Sequence, residues 1–427
     1  MRTPRALVIG AGIGGLTAAV ALERRGWDVT VLERATTLEP VGAGISVSPN
    51  AQRALDVIGL GDAVRELRAW DEVGGLRTPS GRWLVRTSND VAAERFGGPL
   101  VLLHRATLVE LLRGALTDPS RVRTGSTARL TDPGGTDTPA VVRERTSGGE
   151  ERRHEAELVV AADGIHSTVR AALFPTYPGP RYAGFTTWRT VVDAIDGTGD
   201  GTGDEGGTGG AGGAGGHFAA HETWGRGCFW GTQPLPDGRV YAYAAATLPA
   251  GLRAADDELA ELRRRFGRWH DPIPQVLAAT TPERVLRNDV YEMAEPLPAY
   301  HRGRAAVLGD AAHAMSPRLG QGGNQAIEDA IVLAHHADPA AGLDGALAAY
   351  TRDRLPRATA VGRRAASMTR ATTLTSAPAC ALRDWGFAAL SRLVPKVSSL
   401  LALRALDGVA DWSPPVPTYA SDFRGTR

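Results

Sequence analysis

Residues 6–33 constrain the fold more than any other part of the chain. An apolar run at 6–9 leads into Gly10, Gly12 and Gly15, spaced as G-x-G-x-x-G, and an apolar helical stretch follows to Arg25. Gly26 ends that stretch, and residues 28–33 (DVTVLE) alternate as a second strand. Strand, tight turn, helix and strand in this order demand a parallel sheet. Each glycine has its own task. The first permits the turn, the second lets a pyrophosphate approach the backbone, and the third lets helix and strand pack closely. The free N–H groups at the helix start add positive potential. Glu33 stands 21 residues after Gly12, where an acid accepts hydrogen bonds from ribose hydroxyls. An acid there disfavours a 2′-phosphate, so the nucleotide is NAD or FAD rather than NADP.

Composition narrows the chemistry further. The 427 residues give room for two or three domains and a core that needs neither disulfides nor a structural metal. With 48 basic and 47 acidic residues, no global field draws the chain to nucleic acid or to an anionic membrane. Cys228 and Cys380 are the only cysteines, too few for a disulfide framework or a four-cysteine zinc site, which fits a reducing, cytoplasmic setting. Lys396 is the single lysine, so neither a P-loop nor a pyridoxal enzyme is expected. The apolar run after Arg2 and Arg5 is broken by glycines and lacks a cleavage site, unlike a signal peptide. No stretch is apolar enough for an integral membrane span. No metal site is expected either: His335 and His336 are adjacent and face different sides of a helix, and no Cys/His cluster occurs.

Further strands are predicted at 82–86, 141–145, 158–161, 184–192 and 240–246, and helices at 108–116, capped by Thr107, and from about Asn324. Ser167 is expected to cap a helix from Thr168. In 197–216, 12 of 20 residues are glycine, which predicts a disordered loop. Its two further G-x-G-x-x-G matches lack a strand before and a helix after, and carry no binding site. Residues 343–411 read as mainly helical, with breaks at Pro356, Pro378 and Pro395.

Five motifs occur in a fixed order: GAGIGG with Glu33-Arg34, GAGISVSPNA from Gly42, His104-Arg105 before a helix, ADGIHSTVR from Ala162, and GDAAHAMSPRLGQGGNQAIEDA from Gly309. In this the chain resembles the class A FAD-dependent flavoprotein monooxygenases, the group of salicylate and urate hydroxylases and zeaxanthin epoxidase. One departure is GQGGN, where many relatives have GQGAN. The resemblance implies an α/β fold: a Rossmann-like FAD-binding domain from 1–70, 100–175 and 280–345, a mostly antiparallel β-sheet substrate domain from 71–99 and 176–279, and a helical C-terminus at 346–427. It implies that Gly10, Gly12, Gly15, Glu33, Arg34, Arg105, Asp163, Asp310, Gly320, Gly323 and Asn324 bind FAD. Asp310 would reach the ribityl chain, Arg105 the phosphates or ribityl chain, and the amides around Asn324 the flavin edge.

Within that family, NADH or NADPH binds transiently, and a flavin C4a-hydroperoxide delivers oxygen to an aromatic or electron-rich small molecule. Epoxidation of an isoprenoid, or an FAD dehydrogenase or reductase without oxygen insertion, remain alternatives on the same fold. Alternation puts Thr187 and Arg189 on one strand face and Trp188 on the other, so Arg189 is expected to anchor substrate, with Tyr241 and Tyr243 beside it. Ala242, where relatives commonly carry an aromatic, either enlarges the pocket or repacks the sheet. No catalytic acid, base or nucleophile stands out. The expected state is a monomer or homodimer, with no nucleic-acid partner.

Overall fold

A computed structural model describes residues 3–38, 44–67, 73–195, 220–343, 345–393 and 406–415. The expected glycine-rich loop at 197–216 lies outside these, as do Pro395 and Lys396.

Arg5–Ile9, Ile13–Arg24 and Asp28–Leu32 form the strand–helix–strand start. The strands join a six-stranded sheet in the order His301–Arg302, Ala305–Val307, Leu158–Ala161, Arg5–Ile9, Asp28–Leu32, Val122–Arg123, parallel except at its first pair. Leu158–Ala161 and Ala305–Val307 are apolar at every position and buried throughout, as strands covered on both faces must be. Helix Ile13–Arg24 is buried from Ile13 to Leu22 because it packs between this sheet and helix Gly322–His336. Its apolar character on all sides suits that position.

Beyond it lies a seven-stranded sheet, ordered Leu286–Met293, Pro180–Val192, Val240–Ala246, Cys228–Pro234, His221–Trp224, Val73–Arg77, Trp83–Ser88. All its pairs are antiparallel except His221–Trp224 with Val73–Arg77. One face, with Trp188, Trp230, Ala242, Ala244 and Ala246, packs on helices Glu258–Phe266 and Ile273–Ala279. Ala242 therefore belongs to the helix-covered core, and its small side chain repacks the sheet rather than enlarging a pocket. A three-stranded antiparallel sheet, Ser126–Asp132, Ala140–Thr146 and Glu151–Ala156, packs against the six-stranded sheet and shares its core, and Gly44–Val47 pairs with Val101–His104.

Two expectations about helices need correction. The helix expected to follow a Thr107 cap spans Arg105–Gly114, with His104 at its N-cap and Thr107 inside. Pro356 does not break the C-terminal helix, which runs unbroken from Ala346 to Thr372. The break expected at Pro378 falls just before it, between Thr372 and Ala377, and Pro378 itself sits in the first turn of Ala377–Leu393, where a missing N–H costs nothing. Ser167 does cap Thr168–Leu173, its Oγ accepting from Arg170 N at 2.9 Å.

Candidate active site

The glycine turn shows what each position tolerates. Gly10 has φ +102°, and a Cβ there would stand 2.4 Å from the Ala162 carbonyl oxygen. A Cβ on Gly15 would stand 1.9 Å from the Gly10 carbonyl oxygen. At Gly12 a Cβ meets nothing within 4 Å, so the protein leaves that side of the backbone open. Glu33 closes the turn from the other side: its carboxylate accepts from Ala11 N at 2.7 Å and from Ala35 N at 2.8 Å. Arg34 is exposed next to it.

Gly12 opens into a cavity of about 650 Å³ between the six-stranded sheet and the other face of the seven-stranded sheet. Of the residues singled out from sequence, Gly12, Arg105, Arg189, Tyr241, Tyr243, Asp310, Gly320 and Gly323 line it. Gly10 and Gly15 lie behind its wall, in the turn itself. Asp163 caps the helix Thr168–Leu173 instead, accepting from Thr168 N at 2.9 Å, while its Oδ1 is buried without a partner. Asn324 is a strut: its amide donates to Ser46 O at 2.9 Å and Gly320 O at 2.7 Å, and its Oδ1 accepts from Ser48 N at 2.9 Å. It thereby fixes the loop before helix Gly322–His336 against strand Gly44–Val47. The departure at Gly323 has a local reason, since a methyl there would stand 2.9 Å from Ile45 Cδ1.

The cavity's charges are of two kinds. Arg105, in the first turn of its helix, faces Asp310 and makes no hydrogen bond or ion pair among the described residues; burial holds its pKa below the usual arginine value, partly offset by Asp310. Arg189 donates to Asn288 Oδ1 at 2.7 Å, and its Nε is buried without a partner. These are donor groups still able to take an anion or a carbonyl oxygen. Burial pushes the Tyr241 hydroxyl up to about 12, so it stays neutral.

Behind the cavity, a buried knot holds the Gly309–Asp310 corner. Asp329 accepts from Gly309 N at 2.9 Å, from Arg354 Nε at 2.7 Å and from His313 Nε2. Glu328 next to it binds Arg354, Arg357 and the Asn50 amide. Burial alone would raise the Asp329 carboxyl, but His313 and Arg354 outweigh it and hold the pKa well below the carboxylate range.

Sequence reasoning found no acid facing substrate, yet Glu222 and Arg318 both line the cavity. Arg318 grips Glu222 with both terminal nitrogens, at 2.6 and 3.0 Å, and the Tyr243 hydroxyl donates to Glu222 Oε2 at 2.9 Å. The Trp224 indole N–H donates to its other oxygen. Burial raises the Glu222 pKa, but Arg318 and these donors outweigh it and leave it below the carboxylate range. Arg318 was visible only as part of a flavin motif, and Glu222 had no local signal at all.

Among the described residues no group of three or more His, Cys, Asp or Glu is placed to hold a metal ion, and no helix is long and apolar enough to cross a membrane.

The FAD binding domain family model matches residues 3–202 and 260–365. The chain is 36% identical over 352 residues to an aurachin C monooxygenase/isomerase of Stigmatella aurantiaca, covering 82% of this chain and 85% of that one. It is 34% identical over 366 residues to an FAD-dependent urate hydroxylase of Klebsiella pneumoniae, covering 83% and 86%. Klebsiella pneumoniae HpxO, solved with FAD and uric acid, superposes with a TM-score of 0.77 at 29% identity, over 93% of this chain and 97% of that one. The chain thus belongs to the family of FAD-dependent monooxygenases.

Proposed function

We propose that the protein hydroxylates an aromatic or other electron-rich small molecule, using O2 and either NADH or NADPH. The observation that carries this reading is the single cavity with the open Gly12 turn on one side and an aromatic wall with Arg189 on the other. When bound, FAD supplies the activation of oxygen; the chain binds, orients and shields. In this reading the Gly10–Gly15 turn and the following helix take the pyrophosphate, Glu33 and Arg34 the adenosine side, and Arg105 and Asp310 the phosphates and ribityl chain. Gly320 and Gly323, held by Asn324, give the amides that face the flavin edge, and Asp163 acts from behind the wall, holding the turn whose Ala162 and Gly164 line the same cleft. The FAD-binding unit then comprises 1–70, 100–175 and 280–345, and the substrate unit 71–99 and 176–279.

On the substrate side Arg189 anchors an anionic or carbonyl oxygen, while Tyr241, Tyr243 and Phe229 wall a flat ring. Tyr241 and Tyr243 stand with ring centres 5.6 Å apart, and Phe229 packs edge-on to Tyr243 at 6.4 Å. Uric acid, present in the HpxO complex, is a ring compound of that polarity. An isoprenoid alkene has nothing to offer Arg189, which favours hydroxylation over epoxidation. Cys228 and Cys380 are free thiols, in keeping with a cytoplasmic setting.

The test is oxygen uptake and NADH or NADPH oxidation by the FAD-loaded protein across phenols, aromatic acids and purines, with product analysis by mass. A product heavier by one oxygen atom supports the reading. Substrate oxidation without oxygen incorporation would make the protein a dehydrogenase.

A further inference from the structure

Glu222, Gly231, Tyr243 and Arg189 form one row across four adjacent strands. The register pairs Arg189 with Tyr243, Tyr243 with Gly231, and Gly231 with Glu222. All four therefore share the cavity face of the sheet. Gly231 is what connects the row. A Cβ there would stand 2.1 Å from Tyr243 Cζ, so only a glycine lets the tyrosine ring lie across that strand and reach Glu222.

Glu222 is then saturated: two bonds from Arg318, one from Tyr243 and one from Trp224 fill its acceptor sites. An ionised carboxylate only accepts, so the Tyr243 proton is committed to it. The Tyr243 oxygen consequently presents lone pairs to the cavity. Both terminal nitrogens of Arg318 bind this carboxylate, so its charge is already balanced by Glu222 and offers little to a second anion, even though its Nε has no partner.

We propose that Glu222 sets the substrate class of this chamber by fixing Tyr243 as a hydrogen-bond acceptor and closing Arg318 to a second anion. The preferred ligand is a ring compound with one anionic or carbonyl end, addressed to Arg189, and one neutral donor, a phenolic O–H or ring N–H, addressed to Tyr243. Glu222 is a positioning residue that touches no reacting atom. The inference rests on the reading of this cavity as the substrate chamber.

The test uses FAD-loaded protein, titrated while the flavin absorbance is followed, with 3-hydroxybenzoate, its donor-capped analogue 3-methoxybenzoate, and isophthalate, which carries a second anion in the same position. The expected result is that 3-hydroxybenzoate binds about tenfold or more tighter than either analogue. In Glu222→Gln the hydroxy-to-methoxy ratio falls toward one, because the new amide donates to Tyr243, and isophthalate gains about tenfold relative to 3-hydroxybenzoate as Arg318 is released. Tyr243→Phe, which keeps the Glu222–Arg318 pair, loses only the hydroxy-to-methoxy discrimination and keeps the exclusion of isophthalate. A change that merely loosened the fold would weaken all three ligands together. Equal binding of isophthalate and 3-hydroxybenzoate by the unaltered protein, no binding of any of the three, or unchanged ratios in Glu222→Gln would each overturn the inference. Oxygenation of ring compounds that lack a donor would remove it while leaving the proposed function intact. The expected selectivity without any oxygenated product would do the reverse.

Discussion

At Gly12 and Gly15, one helical turn apart, the same added methyl group has opposite consequences. At Gly15 it collides with the Gly10 carbonyl at 1.9 Å, a contact inside the protein that must open for the chain to fold. Gly15→Ala should destabilise the FAD-free protein by roughly 1–3 kcal/mol and also lower its flavin content. At Gly12 the backbone is extended, with φ −73° and ψ −179°, and the methyl meets no protein atom. Gly12→Ala should therefore leave the melting temperature of the FAD-free protein within a degree or so of wild type, on the order of a neutral surface change. It should still lower flavin content, and thermal melts with and without FAD read both effects. Equal loss of stability at both positions would mean that Gly12 faces protein rather than ligand. These glycines and the Thr187/Arg189 face were legible because turn spacing and strand alternation are local properties. Glu222 was not. Its role depends on three strand registers and on a glycine two strands from Arg189, and no window of the sequence contains those together.

Helices Gly322–His336 and Ala346–Thr372 are joined by buried charge as well as by apolar packing. Arg354 is 1% exposed and its guanidinium spans Glu328 and Asp329, both fully buried. Asp329 also holds the Gly309 amide, so this pair of elements sets the corner from which Asp310 projects. Asp329→Asn leaves Arg354 buried with one partner removed and should cost about 3–5 kcal/mol at neutral pH. The pH dependence has a fixed sign. A carboxyl whose native pKa is depressed contributes stability above its unfolded value, near pH 4, and loses it as the pH falls toward the native value. The stability gap between wild type and Asp329→Asn, measured by urea unfolding, should narrow as the pH falls below about 4. A gap that widened in acid would contradict the assignment. The same knot explains why Pro356 does not break the helix. A proline inside a helix costs about 3 kcal/mol, and propensity alone predicts a break. Here Pro356 lies on the exposed side, where water can take the freed carbonyl, while Leu347, Tyr350, Arg354 and Ala358 are buried. Tertiary contacts one turn on either side hold the helix through it.

The order of strands around the two large sheets decides how the parts of the site act on one another. The motifs made the six-stranded sheet and its glycine turn legible, because parallel strand–helix units leave local marks. The seven-stranded sheet was visible only as isolated strands, since its order joins residues 73–88 to residues 221–224 across more than a hundred positions. One continuous cavity lies between the two sheets, with Gly12, Arg105 and Asp310 on one side and Arg189, Tyr241 and Tyr243 on the other. A dinucleotide held along the first side becomes the floor under a ring held along the second, so the two ligands should bind with positive coupling. FAD at a hundredfold excess over its Kd should stabilise the protein by about 2.7 kcal/mol. An aromatic acid such as 3-hydroxybenzoate should then raise the melting temperature of the FAD-loaded protein by a further amount that it does not produce in the FAD-free protein. Arg189→Ala should abolish this second increment and leave the first in place, because Arg189 stands on the ring side of the cavity. Thermal melts of the four combinations measure the coupling directly. Identical increments with and without FAD would mean that the ring sits apart from the flavin, where no oxygen could reach it. An increment that Arg189→Ala leaves untouched would take that arginine out of the chamber.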